Sequence, residues 1–192
     1  MKKLLFLFVF SFIQLIQAQS SFPYDVVLTP INVTGLPGLH SYAFAQHNGK
    51  WLIIGGRKDG VHARQPFNAF PSTQNNTDIY VVDIVTNQFW TASVNTLATG
   101  LKEQLQSTNM NFYQDGGTLY IIGGYGFSTS ANDHITHDKL TSIDIVGLMS
   151  AIENSTSINT YFKQIASSNF AITGGQLGKI GAEFYLVGGH QF

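Results

Sequence analysis

Two short stretches gather the side chains able to bind or ligate something. In the first, Arg57-Lys-Asp-Gly-Val-His-Ala-Arg64, three of the ten Lys and Arg residues stand with Asp59 and His62. Arg57 and Arg64 suit a bidentate clamp on a carboxylate or sulfate, with Asp59 and His62 beside it. The same residues also suit a solvated loop, since surface connections carry polar side chains by default. The second stretch, from Tyr125 to Asp138, places Asp133, His134, His137 and Asp138 within six residues. Oxygen and imidazole ligands at that spacing fit zinc, copper or another divalent ion, although no distant residue completes the set and a polar loop is the alternative. Tyr125 and Phe127 are either sugar-stacking platforms or packing groups, whereas Trp51, inside an apolar run, reads as packing. No Ser/His/Asp arrangement, phosphate-cradling glycine motif or spaced pair of carboxylates stands out, so no catalytic residue is assigned and no cofactor is expected.

Composition narrows the classes further. Ten Lys and Arg against eleven Asp and Glu give a net charge of −1, which offers no footprint for nucleic acid or an anionic membrane. With 44% hydrophobic and 11% charged residues among 192, the chain can bury a core. Nineteen Gly and 13% aromatics favour short strands and tight turns, hence an all-β fold. The absence of Cys excludes disulfides, thiolate metal sites and cysteine nucleophiles. Residues 1–18 read as a secretory signal peptide: Lys2 and Lys3, an apolar run from Leu4, then Ala18 before a mature start at Gln19. That run, about 13 residues, falls short of the ~20 needed to span a bilayer. The mature chain is therefore expected to be secreted, periplasmic or extracellular, with no membrane insertion after cleavage.

The strands that must position these residues come in repeats. Three segments align without gaps: His40 to Arg57, Thr108 to Tyr125 and Thr173 to His190. Their diglycines, Gly55/Gly56, Gly123/Gly124 and Gly188/Gly189, are 68 and 65 residues apart. In each unit an alternating run leads through a turn into a continuous apolar run: Trp51 to Ile54, Leu119 to Ile122 and Phe184 to Val187. The pattern predicts a hairpin whose second strand is buried on both faces. A third strand is predicted over Ile79 to Ile84 and Leu140 to Val146, and a fourth over Gln88 to Ala92 and Thr160 to Gln164. Four antiparallel strands per unit make a propeller blade.

The apolar strand ending in Gly-Gly, the Val-Asp-x-x-Thr-Asn turn at Val82 to Asn87 and the following Trp90 resemble a kelch repeat, over Ser41 to Val187. The chain departs from that pattern at Val82, where Tyr is common, at Phe162 in place of Trp, and in a period longer than the usual ~50 residues. The resemblance implies a kelch-type β-propeller of the secreted, galactose-oxidase-like kind, with about two and a half blades present. Blade one then covers residues 40–93, blade two 108–166, and the start of blade three 173–192, within an incomplete propeller spanning 19–192. It further implies that Tyr24 to Thr29 is a closing strand. The remaining blades are then expected either from a longer chain, of which this is the N-terminal piece, or from self-association.

Long loops on one face, Arg57 to Thr77 and Tyr125 to Asp138, point to a binding or interaction module for a protein or carbohydrate partner. The alternative is the N-terminal part of a carbohydrate-active propeller enzyme, an oxidase or sugar isomerase. The Tyr–Cys cross-link of the copper radical oxidases that some kelch propellers resemble cannot form here, for want of Cys.

Overall fold

Alternation through Ala43 and Ala45, followed by the apolar run at Trp51, yields a hairpin of β1 (Ala43–His47) and β2 (Lys50–Ile54). Its turn is Asn48-Gly49, both left-handed at φ 49° and 76°, the conformation that a two-residue hairpin turn demands. β3 (Asp78–Asp83) and β4 (Gln88–Ser93) extend it into an antiparallel sheet of order β1-β2-β3-β4. The helix α1 (Thr99–Leu105) leads to a second hairpin, β5 (Asn111–Asp115) and β6 (Thr118–Ile122). After it come β7 (Tyr125–Ser128), β8 (Asp133–Thr136), β9 (Lys139–Asp144), the helix α2 (Ile145–Glu153) and β10 (Phe162–Ala166). The second sheet has order β5-β6-β9-β10, the same antiparallel arrangement as the first, with β7 and β8 paired as a separate hairpin. A third hairpin joins β11 (Thr173–Ile180) to β12 (Glu183–His190).

This computed structural model describes residues 24–60 and 70–192, and the chain divides into two compact units, Met1–Ile31 and Asn32–Phe192. The expected signal peptide lies outside the described residues. In the first unit, residues 24–31 carry neither helix nor strand, so the strand expected over Tyr24 to Thr29 is not formed. Strand formation requires a neighbour for the backbone hydrogen bonds, and the apolar character of Val26, Val27 and Leu28 does not supply one.

In the second unit, the inner faces of the two sheets share one core. Ala43, Ala45, Leu52, Ile54, Ile79 and Val81 meet Leu119, Ile121 and Ile143 there, and α2 adds Ile145, Leu148, Met149 and Ile152. A smaller cluster of Val33, Ile53, Tyr80 and Val82 covers the other face of the first sheet. Among the described residues the fold is thus mostly β, with two α-helices that the all-β expectation did not include. α2 replaces the end of the strand predicted over Leu140 to Val146. Asp144 caps it, its carboxylate accepting from the Gly147 N–H at 3.1 Å, and the buried positions 145, 148, 149 and 152 follow helical rather than strand spacing. The expectation of a second strand buried on both faces fails at β12, which is largely exposed because among the described residues it pairs with β11 alone. Among the described residues no helix is long and apolar enough to cross a membrane.

The sequence repeat is also a repeat of backbone conformation. Ser41, Asn109 and Gly174, at equivalent places, are all left-handed, at φ 57°, 53° and 72°. The Asn109 N–H donates to the Ser41 carbonyl at 3.1 Å, and the Gly174 N–H to the Asn109 carbonyl at 2.9 Å. At the diglycines, Gly56 N–H donates to Ser107 O at 2.9 Å and Gly124 N–H to Ile172 O at 3.4 Å. The approach is close enough that a Cβ on Gly123 would sit 1.7 Å from the Ile172 oxygen. A side chain there is sterically forbidden, which accounts for glycine.

Candidate functional site

Directly after each diglycine comes Arg57, Tyr125 or His190, each bridged antiparallel to the residue that opens its unit: His40, Thr108 and Thr173. Backbone pairing therefore fixes all three side chains at corresponding places.

Arg57 serves the fold. Its side chain is 1% exposed and already spends its fork: Nε and Nη2 donate to the two carboxylate oxygens of Asp59 at 3.0 and 2.6 Å. Nη1 donates to the Asn75 Oδ1 at 3.1 Å and Nη2 to the Pro71 carbonyl at 3.2 Å, tying both ends of the long connection together. The Arg57 guanidinium holds the Asp59 carboxyl below the ordinary carboxylate range, against the opposing pull of burial. His40 approaches the same carboxylate at 3.5 Å. Arg57 is thus neither the expected anion clamp nor part of a solvated loop, and Asp59 is its ion-pair partner. His62 and Arg64 lie outside the described residues.

The segment from Tyr125 to Asp138, expected as a loop, is the β7–β8 hairpin, with Tyr125 opposite Thr136 and Phe127 opposite His134. Its register sends the four suggested metal ligands to different surroundings. Asp133 is exposed, with its Oδ1 accepting from the His134 N–H. The His134 Nε2 lies 2.8 Å from the Phe70 carbonyl oxygen, and Asp138 pairs with Lys139. His137 is 3% exposed, and burial pushes its imidazole down to about 4. Among the described residues, no three His, Asp or Glu side chains are grouped so as to hold a metal ion.

A cluster of polar groups lies against this hairpin. Burial raises the Glu103 carboxyl, but hydrogen bonds from Thr129 and Ser128 side chains and from the Ser130 and Thr129 N–H groups outweigh it and leave it lowered. Nearby, Ser107 Oγ and His137 Nε2 are buried with no hydrogen-bond partner among the described residues. They flank Gly126, whose Cβ position is 3.4 Å from Ser107 Cβ and 3.8 Å from His137 Nε2.

Tyr125 stands in the wall of a pocket of about 430 Å³, with Phe70, Asn109, His134, His190 and Phe192 among the residues around it. The Tyr125 ring stacks on His134 at 5.9 Å and meets the Phe70 and Phe192 rings at 5.1 Å each. His190 packs edge-on to Phe192 at 4.5 Å. Phe70 is itself held over the Arg57 guanidinium at 5.2 Å. The result is an aromatic wall with polar edges: exposed Asn109 and His190 at the rim and the Tyr125 hydroxyl, raised in pKa by burial and by Asp133. Such a pocket can stack one face of a ring and hydrogen-bond its substituents. Asn109, His190 and Phe70 were not among the sequence candidates. The gap-free alignment already pairs His190 with Tyr125 and Arg57, and Asn109 with Ser41 and Gly174, which is the signal that finds two of them.

The chain matches no protein-family model, and no curated protein matches it.

Proposed function

We propose that this chain is part of a secreted kelch-type propeller that works as a binding module, with a carbohydrate as the partner its pocket suits best. The observation that carries this reading is the aromatic pocket around Tyr125, built at the diglycine end of successive units. Its volume of about 430 Å³ accommodates one sugar ring, and the ring-lined wall offers the flat apolar surface that the face of a pyranose covers. Among the described residues no Lys or Arg lines it, and the neighbouring Arg57 is neutralised by Asp59, which favours an uncharged ligand over an anion. The repeated sheets, left-handed residues and diglycines support the propeller part of the reading, and the Lys2 to Ala18 pattern supports secretion.

Titration calorimetry against a panel of neutral mono- and oligosaccharides tests it. Binding in the millimolar to micromolar range that disappears in Tyr125→Ala, with an unchanged circular dichroism spectrum, is the expected result. Retention of saccharide binding by that variant, or no heat from any member of the panel, removes the carbohydrate reading.

A further inference from the structure

Asn109 has a backbone that is fully committed and a side chain that is not. Its N–H donates to the Ser41 carbonyl at 3.1 Å, and its own carbonyl accepts from the Gly174 N–H and from the Thr173 hydroxyl, each at 2.9 Å. Three bonds therefore fix the direction in which the side chain leaves the backbone. Among the described residues the Asn109 carboxamide makes no hydrogen bond, and the residue is exposed at the rim of the pocket that Tyr125 walls.

The backbone conformation does not account for that carboxamide. Ser41 and Gly174 hold the same left-handed backbone at the equivalent places, at φ 57° and 72°, one with a hydroxyl and the other with no side chain. Gly174 lines the same pocket, and nothing lies within 4 Å of its Cβ position. Open space thus adjoins Asn109, beside the very residue whose N–H its carbonyl holds.

A carboxamide is two-sided, since its NH2 donates and its Oδ1 accepts. A carboxylate or phosphate group meets only the donor, and an ammonium only the acceptor. Two hydroxyls on neighbouring ring carbons meet both at once, one accepting from Nδ2 and the other donating to Oδ1. A pyranose with its face on the Tyr125 ring carries its hydroxyls around its edge, which is where a rim residue meets them.

We infer that Asn109 is the specificity-determining residue of this pocket, reading two adjacent free hydroxyls of the bound saccharide, an inference that rests on the carbohydrate reading above. Titration calorimetry of the full chain with methyl glucoside, methyl galactoside and methyl mannoside, and with their monodeoxy analogues, tests it in the wild type, Asn109→Gly and Asn109→Asp. Both replacements suit left-handed backbone, and far-UV circular dichroism checks that the fold is kept. The wild type should lose about 5- to 10-fold in affinity on removal of either of two neighbouring hydroxyls, one hydrogen bond in each case. Asn109→Gly should bind the parent glycoside more weakly by about 10-fold or more and no longer tell it from those two analogues. Asn109→Asp, which keeps the acceptor and loses the donor, should still discriminate at one of the two positions, and it decides alone if the glycine variant loses its spectrum. An Asn109→Gly chain that binds and discriminates as the wild type does overturns this inference and leaves the carbohydrate reading standing, as does a wild type indifferent to every deoxy analogue. A wild type that binds no glycoside removes both.

Discussion

The His134 imidazole meets the Phe70 carbonyl oxygen at 2.8 Å, and this one bond joins the connection of the first unit to the β7–β8 hairpin of the second. Phe70 is left-handed at φ 55°, a costly conformation for an aromatic residue, and it takes part in the pocket wall against Tyr125. For the bond to form, Nε2 must carry the proton, so the neutral ring has one defined tautomer.

His134→Phe keeps a ring in the wall but loses that bond. Stability should fall by about 1 kcal/mol, the usual net worth of one hydrogen bond, while saccharide affinity falls more steeply as Phe70 shifts. Urea denaturation beside titration calorimetry separates the two effects; equal losses in both would mean that the pocket wall does not depend on Phe70.

Arg57→Ala should cost about 3 kcal/mol, because it strands Asp59 and Asn75 in a largely buried setting. Arg57→Lys should recover only part of that loss, since an ammonium cannot span both Asp59 oxygens and reach Asn75 and Pro71 as well. Chemical denaturation of both variants provides the measurement. A loss under ~0.5 kcal/mol for the alanine variant, typical of an ordinary surface position, would return Arg57 to the surface.

His137 predicts an acid-sensitive fold. Its imidazole titrates near 4 in the folded chain and at 6.5 when unfolded, so between those values the unfolded state binds more protons. Stability is then complete above about pH 6.5 and declines as pH falls towards 4, by up to ~3 kcal/mol from this group. In His137→Phe that slope should flatten between pH 6.5 and 4. Thermal melts across the window, wild type against variant, decide it.

Gly123→Ala should unfold or severely weaken the chain, by about 3 kcal/mol or more, because its methyl group would collide with the Ile172 carbonyl and occupy left-handed backbone. Gly178→Ala is the control: nothing lies within 4 Å of its Cβ position, and a change within about 0.5 kcal/mol is expected. Parallel melts that gave both variants the same loss would break the link between diglycine and packing.

The diglycines and apolar runs were legible in the sequence because they answer to local rules of period and backbone sterics. From them follow three hairpins and the order of both large sheets. α2 was legible too, in the spacing of Ile145, Leu148, Met149 and Ile152, but the strand pattern of Leu140 to Ile143 ran on into it and hid its start. The role of Arg57 is not legible in the same way. Its burial depends on Asp59, Pro71, Asn75 and the Phe70 ring arriving from across a long connection, and no window of sequence shows that. Neighbours in sequence likewise part company in space: His134 faces the pocket while His137, one strand end later, turns into the interior beside Gly126.

The backbone bonds that run from Gly174 to Asn109 to Ser41 give the chain a grain. The Gly56 N–H finds its acceptor only once Ser107 has emerged, and the Gly124 N–H only once Ile172 has, although their carbonyls are met earlier by Asn76 and His137. During synthesis each portion would therefore wait for the following one before locking. Drawn by its C-terminal end, the chain should yield in discrete rips, the last hairpin first, with an extension trace that counts the units.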